Sequence, residues 1–191
     1  MDAPLCDSVC AALDEHVRRF FAGRHIDVLT WHAGPIRDAN PHFRVLRVAP
    51  AAARGLWHYV SVGGWAATAG RDTGLEFVLS SPVETDRAVE LLAMAVYYHG
   101  RDGLGLGHTV PVGEPWLPGS ACDHLLVSLP YPFGPDLQRC SAGSRRVDFL
   151  WLLPITKAER DFKVEHGQDE LEQRFDAAGL RYWETGRASV A

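Results

Sequence analysis

Residues 147–167 read VDFLWLLPITKAERDFKVEHG, and this stretch decides the fold. It begins with six apolar residues in seven positions, Val147 and then 149–153. A run this short, rich in aromatic and branched side chains, predicts a strand that is buried on both faces. Pro154 has no N–H to give to a neighbouring strand, so we expect the strand to end there. The first half of the stretch therefore predicts a central strand.

A short amphipathic helix is predicted directly after that strand. Thr156 and Glu159 have the spacing of a capping box, in which each side chain accepts a hydrogen bond from the other residue's backbone N–H. Ile155 stands just before the cap, where it can pack as a hydrophobic staple. Gly167 can adopt the left-handed conformation that ends a helix. Such a strand-to-helix connection is a feature of folding and carries no catalytic chemistry.

The rest of the chain supplies further helices and strands around this centre. Apolar residues recur with helical spacing in three segments: 4–22, 85–99 and 168–178. Short apolar or alternating runs predict strands in five others: 26–29, 43–48, 56–62, 75–79 and 123–129. Residues 101–121 are rich in glycine and proline, and we expect them to form an ordered, packed loop. Because strict strand–helix alternation is absent, we predict an α+β fold. Its mixed, mostly antiparallel sheet would have helices packed on it, in a single domain spanning 1–191.

Composition and charge argue against some classes of protein, such as nucleic-acid binders. The chain has 191 residues, which is enough for one domain that needs neither disulfides nor a metal to fold. With 19 basic and 24 acidic residues the net charge is −5. That argues against a nucleic-acid binder, which needs clustered cations, and is compatible with a basic partner. We find no signal peptide, no membrane-spanning segment and no CxxC pair, and therefore expect a cytoplasmic protein.

Three of the nine histidines, together with one aspartate, are the candidates for a catalytic or metal site. His99, His108, Asp123 and His124 would form one only if their side chains converged, and their spacing does not require this. Most isolated histidines are neither ligands nor catalysts. We therefore predict no enzyme activity, with no catalytic residue, no metal and no cofactor. A small hydrolase or metal-dependent enzyme with a His/Asp site is the alternative.

Several aromatic side chains lie in predicted connections between elements. Trp116, Tyr131 and Phe133 are of this kind. Large aromatics in loops either anchor the loop to the core or contact a partner, and the sequence leaves both readings open. Together with His108 in the glycine-rich loop, these three residues are the candidates for partner binding.

Short motifs throughout the chain resemble, in the same order, those of one family. They are Leu75-Glu-Phe-Val-Leu79, Gly107-His-Thr-Val110, Asp123-His-Leu-Leu-Val127 with Pro130-Tyr-Pro132, and the 147–167 stretch. The chain resembles the suppressor of fused (Sufu-like) family over residues 45–180.

The resemblance implies an α+β fold and a binding role without catalysis. In animals, the suppressor of fused protein sequesters a transcription factor. In bacteria, Sufu-like proteins serve largely as immunity proteins, which neutralise the toxin domain of a polymorphic toxin system. A chain with one such domain resembles the stand-alone bacterial form. We therefore expect an immunity protein whose partner is a cognate toxin domain.

Overall fold

The computed structural model describes residues 3–68 and 73–191. Within these ranges the helices are α1 (Ala3–Phe20), α2 (Ile36–Ala39), α3 (Arg87–Asp102), α4 (Pro135–Gln138), α5 (Lys157–His166) and α6 (Gln168–Ala178), with a 3-10 helix at Gly64–Thr68. The strands are β1 (Ile26–Leu29), β2 (Arg44–Val48), β3 (Trp57–Val62), β4 (Thr73–Ser81), β5 (Thr109–Pro111), β6 (Cys122–Ser128), β7 (Arg139–Ala142) and β8 (Arg145–Thr156). None of the described helices combines the length and apolar character needed to cross a membrane.

The eight strands form one sheet in the order β1-β2-β3-β4-β8-β6-β5, and β7 pairs with β8. The pairs β1/β2, β2/β3, β3/β4, β5/β6 and β7/β8 are antiparallel. β4 and β8 are parallel, with Thr73 opposite Arg146 and Val78 opposite Trp151. The predicted α+β class with a mixed, mostly antiparallel sheet is confirmed.

The chain divides into two compact units. Unit 1 comprises the described residues of Met1–Leu104 and Leu129–Trp151. Unit 2 comprises Gly105–Ser128 and Leu152–Ala191. β8 belongs to both, because its first seven residues lie in unit 1 and its last five in unit 2.

Unit 1 has a core between two long helices and the sheet. α1 packs against β3 and β7, and α3 packs against β3, β4 and the 3-10 helix. Leu13 of α1, Tyr59 of β3, Phe77 of β4 and Leu92 of α3 are fully buried there. These are the apolar positions that gave the helical and strand patterns in the sequence, which is why those elements were predictable.

Unit 2 is built from β5, β6, the end of β8 and the last two helices. α5 packs against β6 and α6. Leu125 of β6 and Leu171 of α6 are fully buried, and Phe175 is 5% exposed. The capping box of α5 is formed as predicted: Glu159 N donates to Thr156 Oγ1 at 3.2 Å, and Thr156 N donates to Glu159 Oε2 at 2.8 Å.

Three local expectations were wrong. β8 continues through Pro154 to Thr156; its pairing with β4 ends at Trp151, so the missing N–H of Pro154 breaks no hydrogen bond between these two strands. α3 runs past Gly100 to Asp102, and a Cβ at Gly100 would lie 3.1 Å from the Cβ of Ala67. Glycine is favoured at this helical position because a side chain there would crowd Ala67.

The third error concerns the glycine-rich segment 101–121, which is packed as expected, with Val110, Trp116 and Leu117 buried, but is not a loop throughout. It contains β5, a three-residue strand whose Val110 lies opposite Leu125. Three residues are too few for a periodic pattern to be recognised in a sequence. The sequence also predicts a loop or hairpin turn at residues 66–73, which are small and polar, and this segment lies partly outside the described residues. Of the rest, 66–68 belong to the 3-10 helix and Thr73 begins β4.

Candidate functional site

The hypothesis of a catalytic site required the histidines and Asp123 to converge. In unit 2, β5 pairs with β6 so that Pro111 lies opposite His124. His108 lies beside Val127, since Val127 N donates to the His108 carbonyl at 2.9 Å. Val127 and His124 are three residues apart on β6, and side chains alternate along a strand. His108 and His124 therefore project from opposite faces. His124 Nδ1 instead lies 2.8 Å from Asp123 Oδ1.

His99, in unit 1, is a packed core residue. It is 1% exposed, and its Nε2 lies 2.9 Å from Thr68 Oγ1. Its ring meets Phe77 edge-on, with 5.7 Å between centroids. In residues 3–68 and 73–191 no group of three or more His, Cys, Asp or Glu side chains could hold a metal ion. His99 thus packs in the core of unit 1, and His124 makes a local contact with Asp123.

The cysteines offer no activated nucleophile. All four, Cys6, Cys10, Cys122 and Cys140, are free and buried. Burial raises the pKa of each thiol above its ordinary value. Because the thiolate is the reactive species, a raised pKa suppresses nucleophilic and redox chemistry at these positions.

Glu76 of β4 is a buried carboxylate that sequence analysis missed. It is fully buried, accepts a hydrogen bond from Ser61 Oγ, and accepts backbone N–H groups from Gly63 at 2.8 Å, Gly64 at 3.1 Å and Trp65 at 3.2 Å. Burial raises its pKa to about 7, although the four donors oppose that shift. The only sign in the sequence that Glu76 is unusual is its position among the apolar residues of the predicted strand 75–79. Its role is to fix the turn into the 3-10 helix.

Arg187 is the second buried charged residue that the sequence did not indicate. It pairs with Glu159 and also donates from Nη2 to the Pro154 carbonyl at 3.1 Å. Nearby, Ser189 Oγ lies 3.0 Å from Thr156 Oγ1. The segment after α6 is therefore held within unit 2. No local pattern reveals such a contact, since the partners lie 28 residues apart.

Two of the aromatic candidates for partner binding anchor their own loops. Trp116 is 2% exposed, and its Nε1 donates to Ser120 Oγ at 3.0 Å. Phe133 packs in unit 1 against Phe21 and His58, with ring centroids 6.0 Å and 5.0 Å away. Tyr131, by contrast, is 59% exposed. Of these three aromatic rings, Tyr131 has the most surface available to a partner.

The glycine-rich loop with His108, the fourth candidate, is held against α5 and α6. Lys163 of α5 donates to the Gly107 carbonyl, and Gly107 N donates to the Val127 carbonyl at 2.8 Å. Gly107 has φ +78°, and a Cβ there would lie 2.6 Å from Gln168 Oε1. Only glycine allows both this conformation and this approach. The loop is thus fixed at the junction between the two helices.

Next to these contacts, the loop, α5 and α6 each carry exposed side chains. We call the set Leu106, His108, Val164, Glu165 and Asp169 the junction surface. Its two apolar members are 51% (Leu106) and 68% (Val164) exposed. Its other members are exposed as well. Exposed apolar groups rimmed by polar ones are typical of interaction sites.

Unit 2 carries most of the chain's excess negative charge. It contains ten acidic and six basic residues, which gives −4 of the total −5. Glu165, Asp169 and Glu170 are all exposed around the start of α6. A surface of this sign attracts basic partners and speeds their encounter.

The chain was compared with known families and structures. The family model for suppressor of fused protein (SUFU) matches residues 39–188, well over half of the chain. A crystal structure of a SUFU homologue from Neisseria gonorrhoeae is 38% identical, with a TM-score of 0.83. The match covers 95% of this chain and 96% of that one. No curated protein sequence matches the chain.

Two more distant structures share the fold. The crystal structure of a Sufu–Fu complex matches with a TM-score of 0.69 at 16% identity, over 94% of this chain and 91% of that one. Drosophila Suppressor of Fused matches with a TM-score of 0.68 at 15% identity. There the match covers 94% of this chain but 50% of the Drosophila chain.

Proposed function

The chain belongs to the suppressor of fused family, and from that premise we propose that it is a protein-binding domain without catalytic activity. More specifically, we propose an immunity protein that neutralises the effector domain of a polymorphic toxin by direct binding. One similar structure is a complex of Sufu with Fu, so a member of this fold binds a protein partner. The partner of this chain would be a cognate toxin domain.

The junction surface is the observation that carries this proposal. Lys163 and the close approach of Gln168 to Gly107 hold the loop in place, so Leu106 and His108 are presented on a rigid support. A prearranged surface loses little conformational entropy when it binds. Its apolar members can supply binding energy, while Glu165 and Asp169 supply the negative rim.

The mechanism of neutralisation would be steric and electrostatic. A stable interface buries roughly 1,600 Å² in total, which is enough to cover the active-site cleft of a small toxin domain. The acidic excess of unit 2 favours a toxin with a basic surface, because complementary charges steer the encounter and exclude partners of the same sign. Tyr131, in unit 1, is an exposed aromatic and a separate candidate for partner binding.

The test is a pull-down from the native cell with the tagged chain, followed by an activity assay of the captured protein. We expect a stoichiometric toxin domain whose activity is lost in the complex and returns when the complex is dissociated. Leu106→Asp and Val164→Asp should each weaken binding at least about 10-fold, because a charge replaces an apolar contact at the interface.

Val83→Asp is the matched control. Val83 is 51% exposed, as Leu106 is, but it lies in unit 1 and outside the junction surface. It should leave binding unchanged. A captured toxin that stays fully active in the complex would refute the immunity role. Equal loss from all three variants would refute the junction surface as the binding site.

A further inference from the structure

Unit 1 contains a polar groove that the proposed function does not use. It has a volume of about 800 Å³ and lies between α1 on one side and α4 with the start of β7 on the other. We call it the charged groove, because Glu15, Arg19, Asp136 and Arg139 all line it. From these four residues we infer a binding site for a small zwitterion of the α-amino-acid class.

Of two acid–arginine pairs on α1, one forms an ion pair and the other does not. Asp14 and Arg18 are paired at a spacing of four residues, at which side chains on a helix reach one another. Glu15 and Arg19 have the same spacing and order, but neither forms an ion pair with a described residue. Arg19 Nη2 lies instead 3.5 Å from His16 Nδ1. Both charges of the second pair are exposed and therefore open to a ligand.

His16 holds Arg19 in this position without neutralising it. Its Nε2 lies 3.0 Å from the Leu137 carbonyl, which only accepts hydrogen bonds, so Nε2 carries the proton. Nδ1 of the neutral ring is then an acceptor, and Arg19 donates to it. The His16 ring is 6% exposed and stacks on Phe149 with 5.4 Å between centroids. A rigid, uncharged partner thus orients the guanidinium and leaves its positive charge uncompensated.

The opposite wall of the groove has the same arrangement. Asp136 of α4 and Arg139 at the start of β7 are three residues apart and exposed, and neither is ion-paired within the described chain. Arg19 acts across the groove on this wall: burial raises the pKa of the Cys140 thiol, and the Arg19 guanidinium opposes that shift. Because Cys140 follows Arg139 directly, the two guanidinium groups border the same part of the groove.

Two cations and two anions without ion-pair partners favour a ligand that carries both signs. A simple anion would be repelled by Glu15 and Asp136, and a simple cation by the two arginines. A zwitterion avoids both penalties, because its carboxylate accepts from guanidinium groups and its ammonium donates to carboxylates. Phe20 and Pro135 provide apolar surface for an uncharged side chain. The volume of the groove is within the range of small-molecule sites.

The charged groove is independent of the proposed function. All of its lining residues belong to unit 1, whereas the residues of the junction surface belong to unit 2. Binding of an amino acid and binding of a partner protein can therefore be tested, and can fail, separately.

The test is isothermal titration calorimetry of the full chain with three ligands that share one carbon skeleton. Leucine carries both charges, isocaproate lacks the ammonium group, and isoamylamine lacks the carboxylate. We expect saturable binding of leucine. The other two should bind at least about 10-fold more weakly, because each loses a hydrogen-bonded charge and keeps the repulsion that the missing group would offset.

Two variants and two matched controls assign the binding to the groove. Arg139→Met and Asp136→Asn should each weaken the binding of leucine about 10-fold or more, since each removes a charged partner of the ligand. Arg37→Met and Asp38→Asn make the same changes at exposed positions of α2, in the same unit but away from the groove. These controls should bind leucine as the unmodified chain does.

Three results would overturn the inference. They are the absence of saturable leucine binding, equal binding of isocaproate or isoamylamine, and unchanged leucine binding by Arg139→Met. Equal losses in the groove variants and in the α2 controls would show that leucine binds elsewhere on the chain, and would overturn it as well.

Discussion

Arg187 and Glu159 form a two-pronged ion pair inside unit 2. Nη1 lies 2.6 Å from Oε1 and Nη2 lies 2.7 Å from Oε2. The side chains are 5% and 0% exposed. Glu159 also accepts the backbone N–H groups of Thr156 at 2.8 Å and Val190 at 3.1 Å. One carboxylate thus joins the first turn of α5 to the segment that follows α6.

We expect Arg187→Ala to lower the free energy of unfolding by about 3–5 kcal/mol. The change leaves the buried Glu159 carboxylate without its counter-charge, which is far more destabilising than removal of both charges. Urea denaturation followed by circular dichroism measures the loss. The double variant Glu159→Gln with Arg187→Met should recover part of it.

Arg181→Ala provides the control for that experiment. Arg181 pairs with Glu184, but these side chains are 67% and 46% exposed. Surface pairs of this kind contribute at most about 1 kcal/mol. If Arg187→Ala proved as mild as Arg181→Ala, the pair would not be the attachment that its geometry indicates.

Gly107→Ala should destabilise unit 2 more than Gly113→Ala. Both glycines have positive φ, +78° and +83°, so alanine at either position costs about 1–2 kcal/mol of backbone strain. Only at Gly107 does the new Cβ also meet another group, Gln168 Oε1, at 2.6 Å. The difference between the urea midpoints of the Gly107→Ala and Gly113→Ala variants therefore measures the effect of the close approach to Gln168. Equal losses would show that Gln168 moves aside freely.

Glu76 should make the protein less stable as the pH rises from about 4.5 to about 7. Its pKa is raised from 4.5 to about 7 in the folded state by burial, so the folded state binds the proton more tightly than the unfolded chain does. The contribution of Glu76 to the free energy of unfolding is fully present below about pH 4.5 and is lost as the pH rises through about 7. A shift of this size corresponds to about 3 kcal/mol. Glu76→Gln should remove this slope from urea denaturation measured across the range.

His58 should have the opposite effect: it should make the protein more stable as the pH rises from about 4 to about 6.5. Burial lowers its pKa from 6.5 to about 4, and its Nδ1 lies 2.9 Å from Ser80 Oγ. The neutral ring therefore contributes stability above pH 6.5 that is lost as the pH falls towards 4, again about 3 kcal/mol in total.

The two slopes oppose each other, so the unmodified chain should show a nearly flat pH dependence between about 4.5 and 6.5. Glu76→Gln should expose the loss of stability towards acid that His58 causes. His58→Gln should expose the loss towards neutral pH that Glu76 causes. An unmodified chain with a steep slope, or variants with unchanged slopes, would contradict these assignments.

The regular parts of the fold could be predicted because each has a local cause. The apolar run before Pro154 and the Thr156–Glu159 capping box lie within a few residues, so they indicated β8 and α5 directly. β5 and β7 were missed: β5 has three residues inside the glycine- and proline-rich segment, and β7, Arg-Cys-Ser-Ala, has no branched or aromatic residue and owes its state to its pairing with β8.

The candidate site was predictable only in part. The sequence drew attention to the loop that contains His108, but it could not tell that Trp116 faces inward while Leu106 faces out. That difference arises from tertiary packing. Arg187 was missed for a related reason: its partner Glu159 lies 28 residues earlier in the chain, and neither residue looks unusual alone.

Because β8 begins in unit 1 and ends in unit 2, synthesis completes the residues of unit 1 before it completes those of unit 2. Unit 1 has all of its residues once the chain has been made as far as Trp151, whereas unit 2 also needs the later segment that contains Arg187. At about 5–20 residues per second, the intervening 36 residues take roughly 2–7 s. During that interval the nascent chain has every residue of unit 1, but α5 and α6, which carry most of the junction surface, are still being made. A newly made molecule would therefore be able to complete the core of unit 1 some seconds before the Arg187–Glu159 pair can form in unit 2.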